Sequence, residues 1–138
     1  MVSEKVMDYL REVYHHHLRG REYVTPRNLE VSMNVSRPTA LEALRRLEKM
    51  GFGTYAHGRG FSLNSRGWDF VHERWRAHHA MATVFMQYFG LDPESACREA
   101  SALEPHASTA LIDAMCRTLE LPDDEGIQHK GECGRWCL

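Results

Sequence analysis

Residues 34–63, NVSRPTALEALRRLEKMGFGTYAHGRGFSL, decide how this chain folds. Val35 and Ser36 make a short turn, with Ser36 as a helix N-cap and Pro38 in the first helical turn, where a missing N–H is harmless. Leu41, Leu44, Leu47 and Met50 recur every third residue and are expected to bury one helix face. Thr39, Glu42, Arg45, Arg46 and Lys49 are then left toward solvent. Gly51 is expected to end the helix in the left-handed conformation that glycine adopts without strain. Phe52 to Tyr55 and Phe61 to Leu63 read as short strands, joined by a turn from Ala56 to Gly60 that carries Arg59 outward. A turn, a basic amphipathic helix and a Gly-punctuated hairpin, in that order, read as a winged helix-turn-helix.

Working outward, residues 3–18 predict a first helix, with Val6, Leu10, Val13 and His17 on its inner face and Asp8, Glu12 and His15 opposite. Thr25 caps a second helix that starts at Pro26, with Leu29, Val31 and Met33 as core contributors. After the hairpin, Ser65 is expected to cap a long helix reaching Phe89. Trp68, Val71, Trp75, Ala82, Met86 and Phe89 form one stripe along it. That stripe is larger than a small head can cover, so it predicts a connector and a homodimer surface. Asp92 and Pro93 start a fifth helix to Ala102, and Ser108 caps a sixth through ALIDAMCRTLEL. The fold class is therefore mostly α, an N-terminal winged helix-turn-helix followed by an α-helical dimerisation domain. The expected domains are 1–64, 65–122 and a Cys/His-containing tail, 123–138.

The chain has 138 residues and a formal net charge of −2, but the charge is unevenly spread. Residues 1–76 carry 13 Lys/Arg against 9 Asp/Glu, whereas residues 77–138 carry 4 against 10. The first half is suited to approach a polyanion and the second is not. No stretch reaches the roughly 18 apolar residues of a membrane span, and the charged start does not resemble a signal peptide. The expectation is a cytoplasmic protein with no membrane partner. Its four cysteines are then thiols or metal ligands rather than disulfides. A Gly-rich phosphate loop, a nucleophile elbow and an H-E-x-x-H pattern are all missing, which argues against an enzyme.

For double-stranded DNA, the exposed start of the third helix supplies Ser36, Arg37, Pro38, Thr39 and Glu42 to meet base edges. Arg37 suits a bidentate contact to guanine, the Thr39 methyl suits thymine, and Glu42 can accept from cytosine. Arg27, Arg45, Lys49 and Arg59 suit phosphates. An aliphatic helix face is equally consistent with a winged helix used for protein contacts.

The strings MDYLREVY, SRPTALEALRRLEKMGF, RGFSLNSRG and HHAMATVFMQYFGLDPESACREASALE stand in an order that resembles the metal-dependent repressors of the diphtheria-toxin-repressor and manganese-repressor type. The resemblance spans roughly residues 3 to 120. It implies a homodimer in which Mn(II) or Fe(II) bridges the first helix to the dimerisation region. The two heads are thereby set at the spacing of a palindromic operator of metal-uptake or metal-handling genes. Residue by residue, it places Asp8, His79 and Glu104 at ligand positions. The second carboxylate position of the first helix holds Arg11, with Glu12 adjacent. Ser101 stands where the family has Glu or Cys, and its Glu-His pair becomes Glu104-Pro105-His106. A one-residue displacement turns a helical side chain by about 100° unless Pro105 breaks the helix and re-aims His106. At the ancillary site Thr83 replaces a carboxylate, and Cys97 stands where histidine is common.

Independently of the resemblance, carboxylates and imidazole suit hard to borderline ions such as Mn(II) and Fe(II). In the tail, His129, Cys133 and Cys137 are spaced four apart, close enough to hold one Zn(II). The run His15, His16, His17 fans around its helix and reads as structural. Beside the metal-responsive repressor stand two alternatives: a winged-helix regulator sensing redox state or a small molecule, and a metal-binding or protein-interaction module that does not bind DNA.

Overall fold

The computed structural model describes residues 2–120. They divide into two compact units, one ending at Val71 and the other beginning at His72. The tail with His129, Cys133 and Cys137 lies outside the described residues. Among the described residues no helix is long and apolar enough to cross a membrane.

The first unit is built from α1 (Glu4–Leu18), α2 (Pro26–Met33), α3 (Arg37–Lys49), β1 (Gly53–Ala56), β2 (Gly60–Leu63) and the start of α4 (Ser65–Phe89). Each helix begins on a side-chain cap. The Ser3 hydroxyl accepts from Val6 N–H, Thr25 and Asn28 form a reciprocal capping box, and Ser36 accepts from Thr39 N–H. The N-cap of α4 is Asn64 rather than the expected Ser65: its Oδ1 accepts from Gly67 N–H at 2.9 Å. Asn satisfies the same orphan donor one residue earlier, and Ser65 becomes the first helical residue.

The core of this unit is Leu10, Val13, Val24, Leu29, Leu44, Leu47 and Phe61, all essentially inaccessible. On α3 the buried face is Ala40, Ala43, Leu44 and Leu47, whereas Leu41 and Met50 are half-buried. Three-residue spacing drifts around a helix of 3.6 residues per turn, so the alternating three-four pattern wins over the Leu41-to-Met50 series. On α2 Leu29 is buried but Val31 is 78% exposed, correcting its expected core role. Two residues from Leu29 is about 200° around the helix. On α1 His15 is buried, not solvent-facing, as are Tyr9, Tyr14 and His16. The hydrophobic pattern understated this burial because α1 is covered around most of its circumference.

The hairpin is antiparallel, pairing Gly53 with Leu63 and Ala56 with Gly60. A bridge between Val24 and Phe61 ties the segment before α2 to the hairpin. Gly51 adopts φ +84° and turns the chain out of α3. Gly67 is required for a different reason: an added Cβ would lie 2.1 Å from the Phe52 carbonyl oxygen.

The second unit comprises the rest of α4, α5 (Pro93–Leu103, capped by Asp92), a 3-10 turn (Glu104–His106) and α6 (Thr109–Thr118, capped by Ser108). Small residues let these helices approach closely. Ala77 and Ala80 pack with Ile112 and Cys116, and Met81 and Ala82 pack with Ala96 and Ala100. Arg76 joins α4 to α6 by donating to Asp113 at 2.7 Å, and pairs with Glu73 at 3.4 Å. Tyr88, Phe89, Leu103 and Leu111 remain exposed, apolar side chains that the described residues of the unit leave uncovered.

Candidate functional site

The helix-turn-helix places a polar surface beside the hairpin. Asn34, at φ +54°, makes the left-handed turn between α2 and α3. Ser36, Arg37 and Pro38 are exposed at the start of α3, and Glu42, Arg45 and Lys49 continue along it. The Ser36 hydroxyl donates to Thr39 Oγ1 at 2.7 Å, which fixes the Thr39 rotamer. Arg37 Nε donates to Glu30 Oε2 of α2 at 3.1 Å, and Arg46 donates to Glu42 at 3.3 Å. Arg27, at the start of α2, is exposed. At the hairpin tip Arg59 is exposed, its guanidinium 5.9 Å above the ring of Tyr23. All nine residues expected at a DNA surface thus belong to the first unit, on α2, α3 and the hairpin tip.

Sequence reasoning missed Tyr23 and Glu30, because neither belongs to a motif. Each becomes visible only when the Val24–Phe61 bridge and the α2–α3 turn bring it beside its arginine. It also missed the part His17 plays in holding the hairpin. Leu63 N–H donates to His17 Nε2 at 3.3 Å, and His17 Nδ1 lies 2.7 Å from the Arg21 carbonyl oxygen. Because Nε2 accepts, Nδ1 carries the proton, and the ring is neutral. Its ring centre lies 5.5 Å from that of Trp68, the two rings tilted by 37°. Burial holds the His17 pKa below its ordinary value, with the bond to Arg21 partly opposing the shift.

The expected metal ligands are distributed over both units. On α1 the Asp8 carboxylate is engaged by Arg11 of the next turn. Glu12, half-buried, lies 3.6 Å from His16 Nε2, which also meets Ser32 Oγ of α2 at 3.2 Å. In the second unit His79 is buried on α4 and stacks on Trp75 at 5.3 Å between ring centres. Glu104 begins the 3-10 turn and is only 2% exposed, and its backbone carbonyl accepts from Arg74 at 3.2 Å. Pro105 does end the helical pattern, yet His106 is exposed. Ser101 Oγ lies 3.4 Å from His78 Nδ1, Thr83 donates to the His79 carbonyl at 2.8 Å, and Cys97 is half-buried on α5.

Among the described residues, no three His, Cys, Asp or Glu side chains are gathered into one coordination cluster. As a donor set, two carboxylates and an imidazole still fit a hard to borderline divalent ion.

Comparison with known proteins agrees with the architecture. Residues 1–61 match the model described as iron dependent repressor, N-terminal DNA binding domain. Residues 65–130 match iron dependent repressor, metal binding and dimerisation domain. The transcriptional regulator MntR of Salmonella typhimurium is 32% identical over 87 residues, 63% of this chain and 55% of that protein. The chain therefore spans about half the length of this curated relative. The manganese regulator SloR superposes with a TM-score of 0.68 at 21% identity, covering 85% of this chain and 54% of that one. A manganese-dependent transcriptional repressor in complex with manganese gives 0.66 at 25% identity, with 85% and 53% covered. The chain belongs to the iron-dependent repressor family.

Proposed function

We propose that this chain is the subunit of a homodimeric, cytoplasmic transcriptional repressor that binds a palindromic DNA operator and answers to Mn(II) or Fe(II). The genes under its control handle or import those metals. The observation that supports the DNA reading is the polar surface of the first unit: Ser36, Arg37 and Glu42 are exposed on α3 and at its cap, and Arg27, Arg45, Lys49 and Arg59 are exposed around them. Such a layout sorts into residues that meet base edges and residues that hold phosphates. Support for the effector comes from the family's metal binding domain and from solved structures whose names include manganese.

Asp8, His79 and Glu104 are the residues that would hold the ion, with His106, Glu12, Cys97 and Ser101 as subsidiary candidates. A bound ion would supply positive charge to these donors. The chain's own residues do the rest. Arg11 pairs with Asp8, and the Trp75 ring stacks on His79 and fixes its orientation. The exposed Tyr88 and Phe89 offer apolar surface for a second subunit. The chemistry is binding rather than catalysis. In the tail, His129, Cys133 and Cys137 would hold a Zn(II) ion.

The test is elemental analysis of anaerobically purified protein, followed by DNA-affinity measurements with and without each metal. Tighter binding of a selected DNA site with Mn(II) or Fe(II) is expected. Salt-insensitive association, or none, would overturn the DNA assignment.

A further inference from the structure

We propose that Glu30 sets base selectivity at the recognition helix: by holding Arg37 through Nε, it leaves the two Nη groups to pair end-on with a guanine edge. This inference rests on the DNA-binding function proposed above. Arg37 is the first residue of α3, at the positive end of the helix dipole, where a cation is disfavoured. The Glu30 carboxylate on α2 offsets that, accepting from Nε at 3.1 Å. The two side chains are 61% and 38% exposed, so the pair contributes little to folding. Its effect is on where the guanidinium points.

A guanidinium has five donors in a rigid fork. With Nε committed to Glu30, the far edge presents parallel Nη donors, which match the O6 and N7 acceptors of guanine in the major groove. The carrier positions are fixed on both sides. Asn34 in the left-handed conformation sets the angle between the helices, and the Ser36–Thr39 bonds hold the start of α3. Glu42, one turn further on, is engaged with Arg46. The negative charge of Glu30 also keeps a backbone phosphate from taking Arg37 as a non-specific partner, since like charges repel. Glu30 is thus a positioning residue that converts a generic cation into a base reader.

The experiment selects binding sites for the full chain from a random duplex DNA library in the presence of Mn(II). Each G·C pair of the selected site is then replaced in turn. Wild type is expected to lose about tenfold or more at one G·C pair. Glu30→Ala should reduce that discrimination about three- to tenfold and leave or strengthen binding to random DNA. Glu30→Gln keeps an acceptor without the charge and should retain more selectivity than Glu30→Ala. In an Arg37→Ala background, Glu30→Ala should change nothing at that base pair. Unchanged thermal unfolding of the Glu30 variants confirms that the fold is intact. If wild type selects a site and Glu30→Ala keeps full discrimination, or loses affinity equally for every sequence, the inference is overturned while DNA binding stands. If wild type selects no sequence, both fall.

Discussion

Acidification should loosen the hairpin from α1 through His17. This neutral ring accepts from Leu63 N–H at 3.3 Å, and its Nδ1 donates to the Arg21 carbonyl at 2.7 Å. Protonation places a second donor against the Leu63 donor, so the bond is lost. The folded pKa is held below the ordinary 6.5, by burial first, so the unfolded chain takes up the proton more readily. The contribution is therefore complete above about pH 6.5, falls as the pH drops toward the folded value, and is level below it. His16 behaves alike, lowered by burial and by Arg21, Arg19 and His17, with Glu12 opposing. Each histidine adds a slope of at most about 1.4 kcal/mol per pH unit within its window. His17→Phe keeps a ring against Trp68 but leaves the Leu63 N–H unpaired, at a cost of about 1 to 3 kcal/mol near neutral pH. Urea unfolding followed by tryptophan fluorescence between about pH 7.5 and about pH 5.5 measures both effects. A wild-type stability that is flat or rises on acidification, or a His17→Phe variant with the full wild-type slope, would refute the reasoning.

Three further outcomes are expected. Gly67→Ala should destabilise by about 1 to 3 kcal/mol, despite the helix preference for alanine, because the new methyl meets the Phe52 carbonyl at 2.1 Å; thermal unfolding reads this directly. Arg37→Ala should cost about 1 to 3 kcal/mol of operator affinity and relax one base pair, whereas Arg59→Ala should weaken all sequences alike and lower the salt slope by about 1, as anisotropy titrations at several salt concentrations will show. Phe89→Glu places a charge on a side chain that is 68% exposed, and should shift a dimer toward monomer in sedimentation without lowering the unfolding temperature of the subunit.

The elements were legible because local chemistry fixes them. Ser36 before Pro38, Gly51 after Lys49 and the Gly58–Gly60 turn each act within a few residues, and the structure keeps all three. Burial was less legible. Val31 looked like a core residue by type but lies on the far side of α2 from Leu29, and His15 is buried by surroundings that the α1 pattern does not encode. The candidate sites divide the same way. Seven of the nine residues proposed to meet DNA, Ser36 to Lys49, sit on one short stretch that forms α3 and its cap, with Arg27 on α2 and Arg59 at the hairpin tip. Asp8, His79 and Glu104 come from separate elements, so spacing along the chain says little about them, and only the family order pointed there. Partners acting at a distance, such as Tyr23 under Arg59 and Glu30 on Arg37, have no sequence signature at all.

The central claim is that a divalent ion held by Asp8, His79 and Glu104 is coupled to operator binding. The most direct measurement is the operator affinity of the wild type, His79→Ala and the Cys133→Ser/Cys137→Ser variant, each with and without Mn(II). Metal affinity should be measured with and without operator alongside. The account predicts that Mn(II) tightens operator binding by wild type and by the cysteine variant, that DNA tightens Mn(II) binding by the same factor, and that His79→Ala abolishes the coupling while keeping non-specific DNA binding. A wild-type affinity indifferent to Mn(II) and Fe(II), or a response lost in the cysteine variant and kept in His79→Ala, would contradict it.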